Sequence, residues 1–287
     1  MARYAYVNGR YVDHREASVH IEDRGYQLAD GVYEVVGVRD GKLIDEKPHI
    51  DRLDRSLKEL RIDWPVSRNT MGFILRELMR KNRLRDGLVY MQVTRGVSRR
   101  DHGFPTTPVK PALVMTTKAT KHIEADAGPG VAVKSMPDIR WERCDIKTVA
   151  LLANVLAKQA AREAGAYEAW LVDDKGCVTE GASTNAWIVT QDGELVTRQT
   201  DNGILSGITR QTLKSICNSL QLKFVERPFT VEEAKKAKEA FITSATSFVT
   251  PVVKIDGDKV GDGKVGATAR RLREEYVRFS EAGEAVT

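Results

Sequence analysis

The chain of 287 residues has few cysteines, no long apolar run and little excess of either charge. Its three cysteines, Cys144, Cys177 and Cys217, show neither metal-ligand nor redox spacing, which excludes a disulfide framework and fits a reducing cytoplasm. No apolar run is long enough to span a bilayer, and Met1-Ala-Arg-Tyr4 lacks an apolar signal core, so no membrane partner is expected. Lys and Arg number 45 against 40 Asp and Glu, a net charge of +5. The signs alternate along Arg270-Arg-Leu-Arg-Glu-Glu275 and Glu232-Glu-Ala-Lys-Lys236, as on solvated helix faces. A non-enzymatic module gripping nucleic acid or a polyanion through Arg76 to Arg83 and Arg270 to Arg278 would need a stronger basic excess and interleaved aromatics, and is disfavoured. Internal repeats, low-complexity segments and long linkers are also missing.

What is present describes an ordinary globular chain, 41% hydrophobic and 30% charged, long enough for two domains. Asn8-Gly9 and Asp40-Gly41 each sit between alternating strands, the signature of a tight hairpin. In Gly31 to Val38, Tyr33 and Val35 share one strand face and Glu34 and Val36 the other. Pro48 to Leu60 reads as a helix with Ile50, Leu53, Leu57 and Leu60 inward. On that helix Arg52 reads as an exposed charge paired to Glu59 or Asp54. A helix over Thr70 to Lys81 and strands over Gly87 to Arg95 and Val109 to Thr117 follow. The small, polar run Lys118 to Gly130 is the best boundary, giving residues 1–119 as a smaller N-terminal domain and 120–287 as a larger C-terminal one. The fold class is α+β.

The chemistry centres on Lys147. Val149, Leu152, Val155 and Leu156 recur at helical spacing, so Asp145 or Thr148 is expected to cap a helix beginning beside this lysine. A positive helix end and apolar neighbours favour a neutral amine, able to attack a carbonyl and form a Schiff base. Further on, a hairpin through Asp174-Lys-Gly176 ends in Glu180-Gly-Ala-Ser-Thr-Asn185, which gathers a carboxylate with the hydroxyls of Ser183 and Thr184. Gly203-Ile-Leu-Ser-Gly-Ile-Thr-Arg210 runs into a helix whose start offers free N–H groups at Gly207, Ile208 and Thr209, a site suited to phosphate. Thr243-Ser-Ala-Thr-Ser247 adds a third hydroxyl-rich turn. Each segment alone is an ordinary turn or surface lysine; their joint order is not.

With these residues the chain resembles the fold-type IV pyridoxal-phosphate enzymes, most closely the D-amino-acid aminotransferases. The resemblance rests on Glu22-Asp-Arg-Gly-Tyr-Gln27, Gly31-Val-Tyr-Glu-Val35, His49-Ile-Asp-Arg-Leu53, Val93-Thr-Arg-Gly96, Arg140-Trp141, Cys144-Asp-Ile-Lys147, Thr179-Glu-Gly181 and Gly207-Ile-Thr-Arg210. It runs from about Tyr4 to Pro251 and implies a two-domain architecture and pyridoxal 5'-phosphate as cofactor. By resemblance Lys147 is catalytic and carries the cofactor aldehyde, and Glu180 pairs with the pyridinium N–H. Arg52, Ser183, Thr184, Leu205, Gly207, Ile208, Thr209 and the loop Ser244, Ala245, Thr246 complete the cofactor site. Tyr33 would hold the substrate carboxylate, with Arg100 and His102 reaching into the partner subunit's site in a homodimer. Ala182 and Ala245 depart from the family's usual hydroxyl residues, and Ser183 and Thr246 are the side chains placed to compensate. The implied reaction moves an amino group from a D-amino acid, such as D-alanine or D-glutamate, to a 2-oxo acid in two ping-pong half-reactions. The alternatives within the fold are a branched-chain L-amino-acid aminotransferase, an amine transaminase and an aminodeoxychorismate-lyase-like enzyme.

Overall fold

The computed structural model describes residues 3–282, and its first sheet begins where turn chemistry puts it. Asn8 and Gly9 adopt φ of 46° and 95°, so β1 (Tyr4–Val7) folds back on β2 (Arg10–Asp13) through a primed turn. Asp40 and Gly41, at 49° and 78°, do the same between β3 (Gly31–Arg39) and β4 (Lys42–Leu43). The short α1 (Arg24–Leu28) precedes β3, and α2 (Glu46–Glu59), α3 (Arg68–Asn82), β5 (Gly87–Thr94) and β6 (Ala112–Ala119) follow. All strand pairs are antiparallel, in the order β2-β1-β6-β5-β3-β4. Helices α2 and α3 turn Ile50, Leu53, Leu57, Met71, Leu75 and Leu78 onto Val36, Val89, Met91 and Met115. Burying each such side chain is worth about 1.5–3 kcal/mol. The α3 ends are set locally: Ser67 Oγ accepts from the Thr70 N–H, and Arg83 closes the helix at φ 51°.

The second unit contains β7 (Val131–Pro137), α4 (Leu152–Glu163), β8 (Glu168–Val172), β9 (Val178–Gly181), β10 (Asn185–Val189) and β11 (Leu195–Thr197). It continues with α5 (Ile208–Ser219), β12 (Phe224–Glu226), α6 (Val231–Lys235), β13 (Glu239–Ser244), β14 (Phe248–Ile255), β15 (Asp258–Lys259) and α7 (Ala267–Ala282). Its sheet runs β12-β11-β10-β13-β14-β7-β8-β9, with β15 paired to β14, and mixes parallel and antiparallel neighbours. Trp170, Val178, Ala186, Ile188, Phe229, Ile242 and Val252 form its core. Among the described residues no helix is long and apolar enough to cross a membrane.

The division into units departs from the expected boundary in one informative way. The first unit runs to His122 and takes back Ile146–Ala150, whereas the second comprises Ile123–Asp145 and Leu151–Ala282. Because β4 pairs only with the last residues of β3, the first half of that strand has an open edge. The segment around Lys147 fills it: the Tyr33 N–H donates to Lys147 O at 2.9 Å, and the Val149 N–H to Gly31 O at 3.1 Å. The helix expected to begin at Thr148 therefore starts at Leu152, with Leu151 as an N-cap that makes no side-chain bond. The residues that recur at helical spacing face out: Leu152, Val155 and Leu156 are 72, 59 and 54% exposed, and α4 packs through Ala157 and Ala161 against Ala169 and Leu171.

Candidate active site

In the first unit the strand β3 carries a polar residue of consequence on each face. On one face Tyr33 stacks on Tyr90 with ring centroids 5.6 Å apart, and Lys147 Nζ lies 4.1 Å from the Tyr33 ring centre. Lys147 is thus placed by backbone hydrogen bonds to a strand, not by a helix start, and the expected helix-end field is replaced by an aromatic face. The Tyr90 hydroxyl donates to Gln92 Oε1 at 2.7 Å, and burial pushes its pKa up to about 12, so it remains a neutral donor.

On the other face Glu34 is fully buried. Arg52 binds it with two donors, Nε to Oε1 at 2.7 Å and Nη2 to Oε2 at 2.9 Å, and His49 Nδ1 lies 2.7 Å from Oε2. Burial works against this carboxylate, but Arg52 first and His49 second hold its pKa far below the usual range. Arg52, expected from helix spacing to be an exposed charge, is instead nearly buried and bound to a carboxylate of the sheet beneath. Arg100 and His102 stand exposed on the loop after β5 and make no hydrogen bond or ion pair with other described residues.

In the second unit the end of β9 presents Glu180, nearly buried, to three donors. Arg140 Nη1 lies 2.5 Å from Oε1, Asn185 Nδ2 3.0 Å from Oε2, and the Leu205 N–H 3.1 Å from Oε1. Arg140 in turn binds Asp138 through Nε and Nη2 at 2.9 and 2.7 Å. Burial opposes the guanidinium charge, yet the Asp138 and Glu180 carboxylates outweigh it and raise the pKa of Arg140 further. Cys144 nearby is pushed up to about 11 by burial, so its thiol is no nucleophile at neutral pH.

Asn185 is the hinge of the arrangement. Its Nδ2 donates to Leu205 O at 3.0 Å as well as to Glu180, which ties the carboxylate to the loop entering α5. Gly207 caps that helix without any side-chain bond, leaving the first-turn N–H groups of Ile208 and Thr209 without a side-chain partner. Thr209 is anchored from below by the Tyr276 hydroxyl at 3.5 Å, and Tyr276 packs on Phe248 with ring centroids 4.8 Å apart. Phe248 follows the hydroxyl turn, where Ser244 Oγ lies 2.8 Å from Ser247 Oγ and 3.2 Å from Thr246 Oγ1, with Ala245 between. The Thr184 hydroxyl is buried without a hydrogen-bond partner among the described residues. Ser183 donates to Glu168 Oε2 at 2.6 Å, a carboxylate that Lys158 also pairs.

Reading the sequence missed Arg140, Asp138 and Asn185 as site builders. Arg140 stood in a segment that carries the resemblance, and Asn185 left a signal of its own, since an amide at the start of a wholly apolar strand must find partners.

The chain belongs to the amino-transferase class IV family, whose model matches residues 31–255. It is 42% identical over 278 residues to D-alanine aminotransferase of Staphylococcus haemolyticus, covering 96% of this chain and 98% of the relative. Among solved structures it is similar to the branched-chain amino acid aminotransferase of Thermoproteus uzoniensis with norvaline, at 26% identity and a TM-score of 0.84, covering 98% and 95% of the two chains. The branched-chain amino acid aminotransferase of T.th., solved with pyridoxamine 5'-phosphate, shares the fold at a TM-score of 0.88 and 24% identity, covering 99% of this chain and 96% of that one.

Class IV enzymes work with pyridoxal 5'-phosphate, and the residues present fit that group. An uncapped helix start and a serine–threonine turn suit a phosphate dianion, the Glu180 carboxylate suits a protonated ring nitrogen, and the Thr184 hydroxyl is a buried polar atom still lacking a partner.

Proposed function

We propose that this chain is a pyridoxal-phosphate-dependent D-amino-acid aminotransferase, with D-alanine among its donors and a 2-oxo acid as acceptor. The observation that carries the reading is Asn185, which binds Glu180 and Leu205 at once and so fixes a carboxylate beside the uncapped start of α5. The choice of D-substrates is supported by the 42% identity to a D-alanine aminotransferase along nearly the whole of both chains.

Pyridoxal phosphate, when bound, supplies an aldehyde that condenses with amines and a ring that accepts the electrons left as an amino acid loses its α-proton. Lys147 Nζ would hold the aldehyde and, once displaced, take the proton from the substrate Cα. Glu180, held by Arg140, Asn185 and the Leu205 N–H, would hold a proton at the ring nitrogen. The N–H groups of Ile208 and Thr209, the Ser244 to Thr246 turn and Arg52 would bind the phosphate. Ser183, Thr184 and the backbone at Leu205 and Gly207 would flank the ring, and Tyr33 would meet the substrate.

Arg100 and His102 would bind the substrate carboxylate with a planar fork and a single N–H, which disfavours simple amines. Their exposure, and the lack of partners among the described residues, support a role toward a second copy, as in a homodimer. The outward row Leu152, Val155 and Leu156 on α4 supports the same assembly, because three large apolar side chains on one helix face call for cover. Cys144, Cys177 and Cys217, all unpaired, are in keeping with the cytoplasm.

The test is a visible-absorbance titration of the holoenzyme. D-alanine is expected to shift the cofactor band and sustain turnover with a 2-oxo acid, L-alanine and L-leucine to do neither, and Lys147→Ala to abolish turnover. Robust L-leucine turnover would move the enzyme to the branched-chain class.

A further inference from the structure

We propose that Asp30, clamped between Arg24 and Arg95, is a positioning residue that fixes the loop bearing Arg100 and His102 and thereby sets affinity for carboxylated substrates. The inference rests on the carboxylate-binding reading of those two residues. Asp30 Oδ2 accepts from Arg24 Nε and Arg95 Nε, each at 2.7 Å, and Oδ1 accepts from Arg95 Nη2 at 3.0 Å. The three side chains are only 3, 10 and 11% exposed for Arg24, Arg95 and Asp30. Burial disfavours the Asp30 carboxylate, but Arg95 and then Arg24 hold its pKa below the ordinary value. Without that carboxylate two guanidinium groups would face each other in a poorly solvated space.

What the clamp holds is the loop. Arg24 Nη1 donates to Asp101 O at 2.7 Å, the carbonyl of the residue between Arg100 and His102. Upstream, the Arg24 N–H donates to Gly96 O at 2.9 Å and the Ser98 N–H to Glu22 O at 3.2 Å. Downstream, the Phe104 ring is covered by Arg95 Cζ at 3.8 Å and Arg61 Cζ at 4.7 Å. Arg95 also reaches Leu60 O at 2.7 Å and Arg61 O at 2.9 Å, which ties the clamp to the end of α2. The loop backbone is therefore pinned before, between and after the two proposed recognition side chains, and those side chains make no bond of their own among the described residues. A recognition loop held in this way loses less entropy on binding substrate, and the gain appears in affinity, not in the chemical step.

The experiment compares Arg24→Gln and Asp30→Asn with the wild-type holoenzyme, measuring KM and kcat for D-alanine, and repeats Arg24→Gln in an Arg100→Ala, His102→Ala background. KM is expected to rise about tenfold in each single variant, the loss of a charge-assisted hydrogen bond, while kcat stays within about twofold. In the doubly substituted background Arg24→Gln is expected to have no further effect, because the residues it positions are gone. Where either single variant loses its bound cofactor, Phe104→Leu, which removes only the ring contact, carries the same KM test. An unchanged KM, a loss confined to kcat, or a tenfold effect that survives in the Arg100→Ala, His102→Ala background overturns the proposal. If that background itself leaves KM unaltered while D-alanine is still transaminated, the carboxylate reading of the loop fails and the clamp has no such role. A holoenzyme inactive on D-alanine refutes the proposed function instead.

Discussion

Replacing Gly207 by alanine isolates one close approach. The residue has φ −62° and ψ 134°, a conformation open to any amino acid, so alanine carries no backbone penalty there. A Cβ built on it collides with Asn185 Oδ1 and falls 3.2 Å from Asn185 Cγ. Asn185 cannot drift away cheaply, because it is buried and its backbone is in register with Thr243 of β13. Its amide must turn or retreat, and both Nδ2 bonds are at stake. The one to the Glu180 carboxylate is worth about 1.5–3 kcal/mol and the one to Leu205 O about 0.5–1.5 kcal/mol. Together they amount to about 2–4.5 kcal/mol, or roughly a 30- to 2000-fold higher cofactor dissociation constant if the geometry of Glu180 and the α5 start is what binds it. The assay is titration of the apoprotein with pyridoxal phosphate, followed by absorbance. Asn185→Ala added to Gly207→Ala should cost little more than Asn185→Ala alone, since the collision is then gone. A Gly207→Ala protein that binds cofactor within about threefold of wild type would refute the claim that Asn185 joins the two parts of the site.

Glu180→Gln keeps the shape but not the charge, and kcat for D-alanine is expected to fall by about 100-fold or more; stopped turnover assays would show it, and an unaltered kcat would place the carboxylate outside the reaction. Glu34→Gln leaves Arg52 and His49 without their buried counter-charge, a loss of about 3 kcal/mol at pH 7 readable in thermal melts. Because the folded protein lowers the Glu34 pKa beneath its ordinary 4.5, the stability it contributes is complete above that value and fades as pH falls further. The gap between wild type and Glu34→Gln should therefore narrow in melts run below pH 4.5 and stay constant above it; a gap that does not narrow under acid would show that Glu34 is not held ionised.

How much of this was legible in the chain depends on the distance over which each cause acts. The hairpins at Asn8-Gly9 and Asp40-Gly41 could be read off because a positive φ is a property of the turn residues themselves. Helix α2 could be read from its own period, Ile50, Leu53 and Leu57 being buried as expected. The setting of Lys147 could not, for it depends on an open strand edge far earlier in the chain, and hydrogen bonds from Tyr33 and Val149 outcompete the local helical pattern. Periodicity likewise identifies an apolar face without saying what covers it. On α4 that face, Leu152, Val155 and Leu156, points away from the sheet. The ionic partners were the least visible. Arg52 has acidic neighbours at suitable helical spacing yet pairs with Glu34, since a charge buried beneath the helix binds more strongly than one in water beside it. The same reasoning makes Arg140, Asp138 and Glu180 one unit: a carboxylate shielded from water is held by a cation and fixed donors. The fold supplies them from Arg140, Asn185 and Leu205, positions 40, 5 and 25 residues away from it in sequence.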